Sequence, residues 1–185
     1  MNDASIIELF WNRDETAIIE TDKKYGRLCN SLSVNILNNI SDAEECVNDS
    51  YLTVWNSIPE DRPERFSAYL CRIVRNLSLK RLEYNTAGKR SPDLLASLDE
   101  LDGCISGNEN PENSFDAKLL GKSISGFLRM QSEQSRNIFI RRYWYFESVK
   151  KIAGDYKIKE EKVSVILFRT RKKLKKHLEK EGYNV

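Results

Sequence analysis

The fold of the last third of this chain is decided by residues 136–180, RNIFIRRYWYFESVKKIAGDYKIKEEKVSVILFRTRKKLKKHLEK. Ile152 and Ala153 close a short apolar-periodic segment, and a polar turn follows at 155–159. The next segment keeps an apolar stripe at helical spacing, formed by Val163, Leu167, Leu174 and Leu178. Lysines and arginines crowd its other faces. A short helix, a tight turn and a basic second helix are the arrangement that lays one helix in the major groove of DNA.

The charges of the chain are unevenly distributed along its 185 residues. The formal net charge is only +2, but residues 140–185 contain 14 Lys and Arg against 6 Asp and Glu. Residues 93–116 contain seven acids and no Lys or Arg. A basic helix by itself is more often a solvated surface than a nucleic-acid contact. The short helix and turn that precede this one favour DNA binding.

Composition argues against several other classes of protein. The cysteines lack paired spacing, and the only histidine, His177, is remote from them, so neither a metal site nor a cofactor is expected. Reduced thiols in the cytoplasm are the predicted state. The amino terminus has early acids and no long apolar core, unlike a signal peptide, and no apolar run approaches a membrane span. No nucleophile–base pair or glycine-rich phosphate loop is apparent, so the chain is predicted not to be an enzyme.

Apolar spacing of three and four predicts an all-α protein made of two small helical domains joined by a flexible acidic linker. The first domain is predicted over 1–90. The linker, rich in Gly, Pro, Asn and acids, is predicted over 91–114, with one short helical turn at 94–98. The second domain, which contains the helix–turn–helix, is predicted over 115–185.

Local signals predict where individual helices begin and end. Ser41 and Asp42 are expected to cap a helix that Pro59 and Pro63 end, and another helix is expected over about 66–84. In the second domain the expected helices are roughly 115–129, 132–145, 148–155 and 159–181.

Three motifs in order resemble the sigma-70 family of bacterial transcription initiation factors. They are DAEECVNDSYLTVW at 42–55, FSAYLCRIVRNLSLKRL at 66–82, and the stretch at 136–180. Together they cover nearly the whole chain at the spacing typical of the family. The short two-domain form resembles the extracytoplasmic-function group.

The resemblance implies a function for each part of the chain. Such proteins bind core RNA polymerase and direct it to promoter DNA. The first domain would grip the clamp of the largest subunit and melt the −10 element. The second would read the −35 element and contact the flap of the second-largest subunit, and the linker would thread along the active channel. Many members of the group are also held by an anti-sigma factor that occludes both domains.

The helix expected at Asp42 supplies the implied polymerase-binding residues, which are Glu45, Asn48 and Asp49. Acidic and amide side chains suit a basic coiled-coil partner. Exposed acids of this kind are more often only solvated, and they usually contribute little free energy to any interaction. Ser50 is placed on the same polar face. The core face is expected to hold Ala43, Cys46, Val47, Leu52 and Trp55.

The following helix combines rings, bases and an amide, as a groove for single-stranded DNA requires. Its implied −10 residues are Phe66, Tyr69, Arg72, Arg75, Asn76 and Lys80. Asn76 matches the family's asparagine near the pocket for a flipped base. For Phe66 and Tyr69, ordinary core packing is an equally good interpretation.

In the second domain, Ser148 is expected to cap the helix before the turn. Phe168 and Arg169 match family positions that reach bases, whereas Arg171, Lys172 and Lys173 resemble contacts to the DNA backbone. The implied −35 residues are Ser148, Lys162, Ser164, Val165, Phe168, Arg169, Arg171, Lys172 and Lys173.

Two departures from the family pattern affect this second domain. Lys157 stands where the family has the turn glycine, so a non-glycine residue is expected to take a positive φ. The family's Lys-Ser-Arg triplet is replaced here by Ser164, Val165 and Ile166. Two of the usual basic side chains are therefore absent, and the residues do not specify which −35 sequence the chain prefers.

Two other interpretations remain at this point. A stand-alone helix–turn–helix regulator would need only the second domain, and the polar face of the Asp42 helix would then have no role. A helical interaction protein that does not bind DNA would lack the steep salt dependence of phosphate contacts.

Overall fold

The computed structural model describes residues 1–58, 60–84, 92–105 and 114–183, with side chains except at 102–105 and 114–118. Every regular element in these ranges is an α-helix, which confirms the all-α class. The helices are α1 Asp3–Trp11, α2 Thr16–Leu37, α3 Ile40–Ser57, α4 Phe66–Tyr84, α5 Pro92–Ile105, α6 Ser114–Met130, α7 Glu133–Tyr143, α8 Val149–Tyr156 and α9 Glu160–Lys180. Two compact units result, unit 1 from Met1 to Ser91 and unit 2 from Pro92 to Val185.

In unit 1, α2, α3 and α4 pack on one another, and α1 packs on α2 and α4. The rings of Phe10 and Phe66 meet at 5.8 Å between centroids, and both side chains are fully buried. A hydrogen bond of 2.8 Å joins the buried hydroxyls of Ser33 on α2 and Ser78 on α4. Because a buried polar group must find a partner, this pair fixes how the two helices face each other.

The start of α3 differs from the sequence prediction. Asn39, and not Ser41, is the capping residue, since its side-chain oxygen accepts hydrogen bonds from the backbone amides of Ser41 at 2.9 Å and Asp42 at 3.3 Å. Asparagine is among the best N-cap residues, so the helix begins at Ile40. The predicted end near Pro59 agrees with the last helical residue, Ser57, and Pro59 itself lies outside the described residues.

Unit 2 contains the four helices expected after residue 115, with ends within two residues of the prediction. Its core is formed by Phe127, Ile138, Phe139, Tyr143, Ile152, Ala153, Val163, Leu167, Leu174 and Leu178. As predicted, Ser148 caps α8, because its hydroxyl accepts from the Lys151 amide at 3.1 Å. Lys157 ends α8 with φ at +52°, the left-handed conformation that glycine adopts more easily.

The segment predicted as a flexible linker differs over its first half. Residues 92–105 form α5, which is much longer than the single turn expected at 94–98. Pro92 sits in the first turn, where proline is favoured, and Leu94 and Leu101 pack toward the unit 2 core. The acids of α5 find arginine partners on α7 and α9, so they do not prevent the helix from packing.

Candidate functional site

The polar face of α3 exposes Asn48 and Asp49, as predicted from the sequence. Glu45 is also exposed, but its carboxylate contacts Arg81 of α4, and Asp42 lies 3.3 Å from the same guanidinium. Part of the predicted acidic surface is therefore neutralised within the fold. Asn48 and Asp49 remain as the groups that α3 offers to an outside partner.

Two side chains of α3 lie on the opposite side from the one predicted. Ser50 is fully buried and donates its hydroxyl to the Cys46 carbonyl at 2.6 Å. Leu52, expected in the core, is 58% exposed. Helical geometry explains both results, because Ser50 follows buried Cys46 by four residues, whereas Leu52 follows exposed Asn48 by four.

An exposed apolar patch beside this face was missed from the sequence. Leu52 of α3 and Ile19 of α2 are both exposed, and with Glu15, Ile18 and Trp55 they line a shallow groove between the helices. The spacing of Asn48 and Leu52 was the available signal, since residues four apart share one face of a helix.

On α4 four of the predicted side chains form a single stripe. Tyr69, Arg72, Asn76 and Lys80 follow one another at intervals of three and four residues, and each is exposed or partly exposed. The Arg72 guanidinium lies 5.6 Å from the centroid of the Tyr69 ring. The Tyr69 hydroxyl donates to Asp61 at 3.2 Å, and partial burial raises its pKa. Ring, amide and bases thus share one accessible face.

Phe66 and Arg75 do not join this stripe. The Phe66 side chain is fully buried against Phe10 and Tyr25, so the core-packing interpretation holds for it and base stacking does not. A ring at the first position of α4 faces the α1–α2 side of the bundle. Arg75 is half-buried, and its removal from water lowers the pKa of the guanidinium.

The basic side chains of α9 lie opposite its apolar stripe. Val163, Leu167 and Leu174 are buried, as predicted, and Phe168 is 59% exposed. The exposed members of the predicted −35 set on this helix are Lys162, Ser164, Val165, Phe168, Arg169, Lys172 and Lys173. The Ser164 hydroxyl donates back to the Glu160 carbonyl at 3.1 Å. A dense positive face with one projecting ring therefore points away from the unit 2 core.

Arg171 differs from its neighbours on α9. Its Nη1 atom lies 2.8 Å from the Glu100 carboxylate of α5 and also contacts the Tyr143 hydroxyl. Only 18% of the side chain is exposed. The resemblance implied that Arg171 contacts the DNA backbone, but in this structure its guanidinium forms an ion pair with the Glu100 carboxylate. Nothing in the spacing of α9 could reveal that, because the partner is 71 residues away.

Within the described side chains there is no group of three or more His, Cys, Asp or Glu that could hold a metal ion. The side chains of Cys29, Cys46 and Cys71 are buried, and burial raises the pKa of the Cys29 thiol to about 12. Across the described ranges no helix combines the length and the apolar character that crossing a bilayer needs.

Residues 23–87 match the family model of sigma-70 region 2, a range that contains most of α2 and all of α3 and α4. No curated protein matches the chain. The match supports the resemblance seen in the motifs and assigns a sigma-70 region 2 to unit 1. The family consists of transcription initiation factors and is not a family of enzymes. The match therefore supports a sigma-factor role in transcription initiation.

Proposed function

We propose that this chain is an extracytoplasmic-function sigma factor that binds core RNA polymerase and gives it promoter specificity. The observation that carries the proposal is the region 2 match over 23–87, since that range includes both the exposed α3 face and the α4 stripe. A factor acting on polymerase and promoter DNA would work in the cytoplasm.

Core polymerase is proposed to bind α3 at Asn48 and Asp49. Both are exposed, and Asp49 keeps a negative charge that suits a basic coiled-coil clamp on the largest subunit. Glu45 has a supporting role, because Arg81 already holds its carboxylate. The neighbouring apolar groove at Ile19 and Leu52 would add non-directional contact area to the same surface.

The −10 strand is proposed to lie along the α4 stripe. Arg72 and Lys80 would follow phosphates, Tyr69 would stack on an unpaired base, and the Asn76 amide would read a base edge. Phe66 is left out of this surface because its ring is buried in the core. Phe66 supports the stripe by anchoring the first turn of α4 against α1.

The −35 duplex is proposed to meet the exposed face of α9. Arg169 and Phe168 would reach the edges of bases, and Val165 offers apolar contact of the kind that suits a thymine methyl. Lys172 and Lys173 would contact the backbone. The capped end of α8 at Ser148 would sit next to a phosphate. Unit 2 would also meet the flap of the second-largest subunit, and an anti-sigma factor would compete for these surfaces.

A stand-alone DNA-binding regulator is the alternative, and binding to core polymerase separates the two. In size-exclusion chromatography at moderate salt, the chain is expected to co-elute with purified core polymerase in a one-to-one complex. A chain that binds duplex DNA but never co-elutes with the polymerase would favour the alternative, because unit 1 would then have no partner.

A further inference from the structure

Glu100 of α5 connects three side chains that belong to α7 and α9. Its Oε1 atom lies 3.0 Å from Arg142 Nη2, and its Oε2 atom accepts from the Tyr143 hydroxyl at 2.6 Å. The same Oε2 lies 2.8 Å from Arg171 Nη1. One carboxylate thus bridges two guanidinium groups and a phenol, and the contacts to the guanidinium groups are charge-assisted hydrogen bonds, which are stronger than neutral ones.

The rest of α5 holds this carboxylate in place. Leu94 is buried, and Ser97, also buried, donates its hydroxyl to the Leu94 carbonyl at 2.8 Å. Asp93 lies 3.1 Å from Arg142, whose side chain is only 3% exposed. Arg142 also donates to the Glu147 carbonyl at 3.1 Å. The acid–arginine contact is therefore part of the packing of unit 2 and is not a surface ion pair.

Arg171 lies on α9 at the edge of the buried stripe, with 18% of its side chain exposed. The exposed Arg169 and Lys172 are two positions before it and one position after it, on the accessible side of the same helix. A guanidinium recognises carboxylate and phosphate oxygens with the same planar donor geometry, so Glu100 and a DNA phosphate compete for the Nη1 donors of Arg171. While Glu100 is in place, a DNA phosphate cannot occupy the same position at Nη1.

We propose that α5 is an intramolecular competitor of DNA, whose Glu100 carboxylate stands where a DNA phosphate would bind Arg171. The proposal rests on the DNA-binding role proposed for α9. In the free chain α5 lowers the affinity of unit 2 for duplex DNA. When α5 leaves its site, Arg171 becomes available and unit 2 gains one phosphate contact.

The test measures binding of the full chain to a labelled 30-base-pair duplex of random sequence, by fluorescence anisotropy at several salt concentrations. Glu100→Gln keeps the shape of the side chain and removes its charge. Asp99→Asn is the matched control, because Asp99 is an exposed acid one position earlier and the change in net charge is identical. Glu100→Gln is expected to bind roughly tenfold more tightly than Asp99→Asn, the lower end of what one hydrogen bond to a charged group contributes.

The gain must depend on Arg171. Arg171→Ala is expected to abolish the gain in the Glu100→Gln background, and to weaken binding less in the parent chain than in that background. The dependence of log affinity on log salt should steepen by about one in Glu100→Gln and return to the parent value in the double variant. Equal gains in Glu100→Gln and Asp99→Asn, or an equal loss from Arg171→Ala in both backgrounds, would overturn the proposal.

Two further variants make the result decisive. If Glu100→Gln loses helicity, Asp93→Asn replaces it. Asp93 is half-exposed and contacts Arg142, so its substitution loosens that end of α5. Tighter DNA binding by Asp93→Asn supports the proposal, and unchanged binding overturns it. Lys172→Ala reports on the proposed function separately. If it weakens binding while Glu100→Gln matches its control, only the competitor role fails. If it has no effect, DNA binding by α9 fails as well.

Discussion

α4 of unit 1 and α9 of unit 2 each present one accessible face to solvent, but they differ in the density of charge. The α4 stripe combines two basic side chains, Arg72 and Lys80, with an aromatic ring and an amide. The α9 face carries many more exposed bases, at 162, 169, 172, 173, 176 and 180. Phosphate contacts give affinity that falls with salt, whereas rings and amides act on bases. The difference suits α4 to an opened strand and α9 to a duplex backbone.

The two helices also share a feature. Each carries, within its run of basic side chains, an arginine that acids of the same unit already hold. Asp42 and Glu45 hold Arg81, and Glu100 holds Arg171. A count of bases along the sequence therefore overstates the positive charge that either unit offers to DNA.

Asp49→Lys is expected to weaken binding to core polymerase by roughly 3 kcal/mol, about a hundredfold, because it places like charges against the proposed basic clamp. The control is Glu44→Lys, which makes the same charge change at an exposed position on another side of α3. Fluorescence titration with labelled core polymerase gives both affinities, and circular dichroism checks helicity. Equal losses in the two variants would show that only overall charge matters.

Asn76→Ala is expected to impair strand opening by about 1–3 kcal/mol, the value of one good base contact. Binding to a duplex promoter should change much less, because the amide acts on the opened strand. Permanganate reactivity of bubble thymines measures the opening, and Asn56→Ala, an exposed asparagine of α3, serves as the control. Normal thymine reactivity in Asn76→Ala would remove Asn76 from the −10 surface.

On α9, Arg169→Ala and Lys172→Ala are expected to have different consequences, each of about 1 kcal/mol. Arg169→Ala should relax preference at one base pair of the −35 element. Lys172→Ala should weaken all sequences alike and reduce the salt slope by about one. The two variants are compared by their binding affinities for a library of −35 sequences at several salt concentrations. A uniform loss in both variants would reduce Arg169 to a backbone contact.

The smallest effect concerns the turn between α8 and α9. Lys157→Gly is expected to stabilise the chain by about 0.5 kcal/mol, because glycine adopts the positive φ of this position without a Cβ clash. Lys150→Gly, on an exposed helical position of α8, should instead destabilise the chain by about 1 kcal/mol. Thermal unfolding measures both variants. Destabilisation by both would mean that Lys157 is not strained.

Local patterns predicted much of this fold because they depend on nearby residues. Apolar spacing located the helices, and capping chemistry gave the role of Ser148 at the start of α8. The positive φ of Lys157 at its end followed from the resemblance, which has a turn glycine there. The assignments that failed depend on packing between helices. Phe66, for example, is buried because α1 and α2 cover it. The cap of α3 is a local exception, because Asn39 and Ser41 are both good capping residues and Asn39 is the one that caps.

The candidate surfaces were predictable to the same extent. Exposure of Asn48, Asn76 and Arg169 follows from their place on amphipathic helices. The partners of Arg81 and Arg171 could not be predicted from spacing, because they lie 36 to 71 residues away in the chain. Ion pairs across such distances are set by the tertiary fold alone.

The most direct test of the central claim is run-off transcription with purified core polymerase on a library of random promoters, with and without this chain. The account predicts transcripts that depend on the chain and whose templates share a −10 and a −35 element at fixed spacing. It also predicts that Asp49→Lys abolishes these transcripts and that Glu44→Lys does not. An absence of chain-dependent transcripts, with the chain still bound to duplex DNA, would contradict the account.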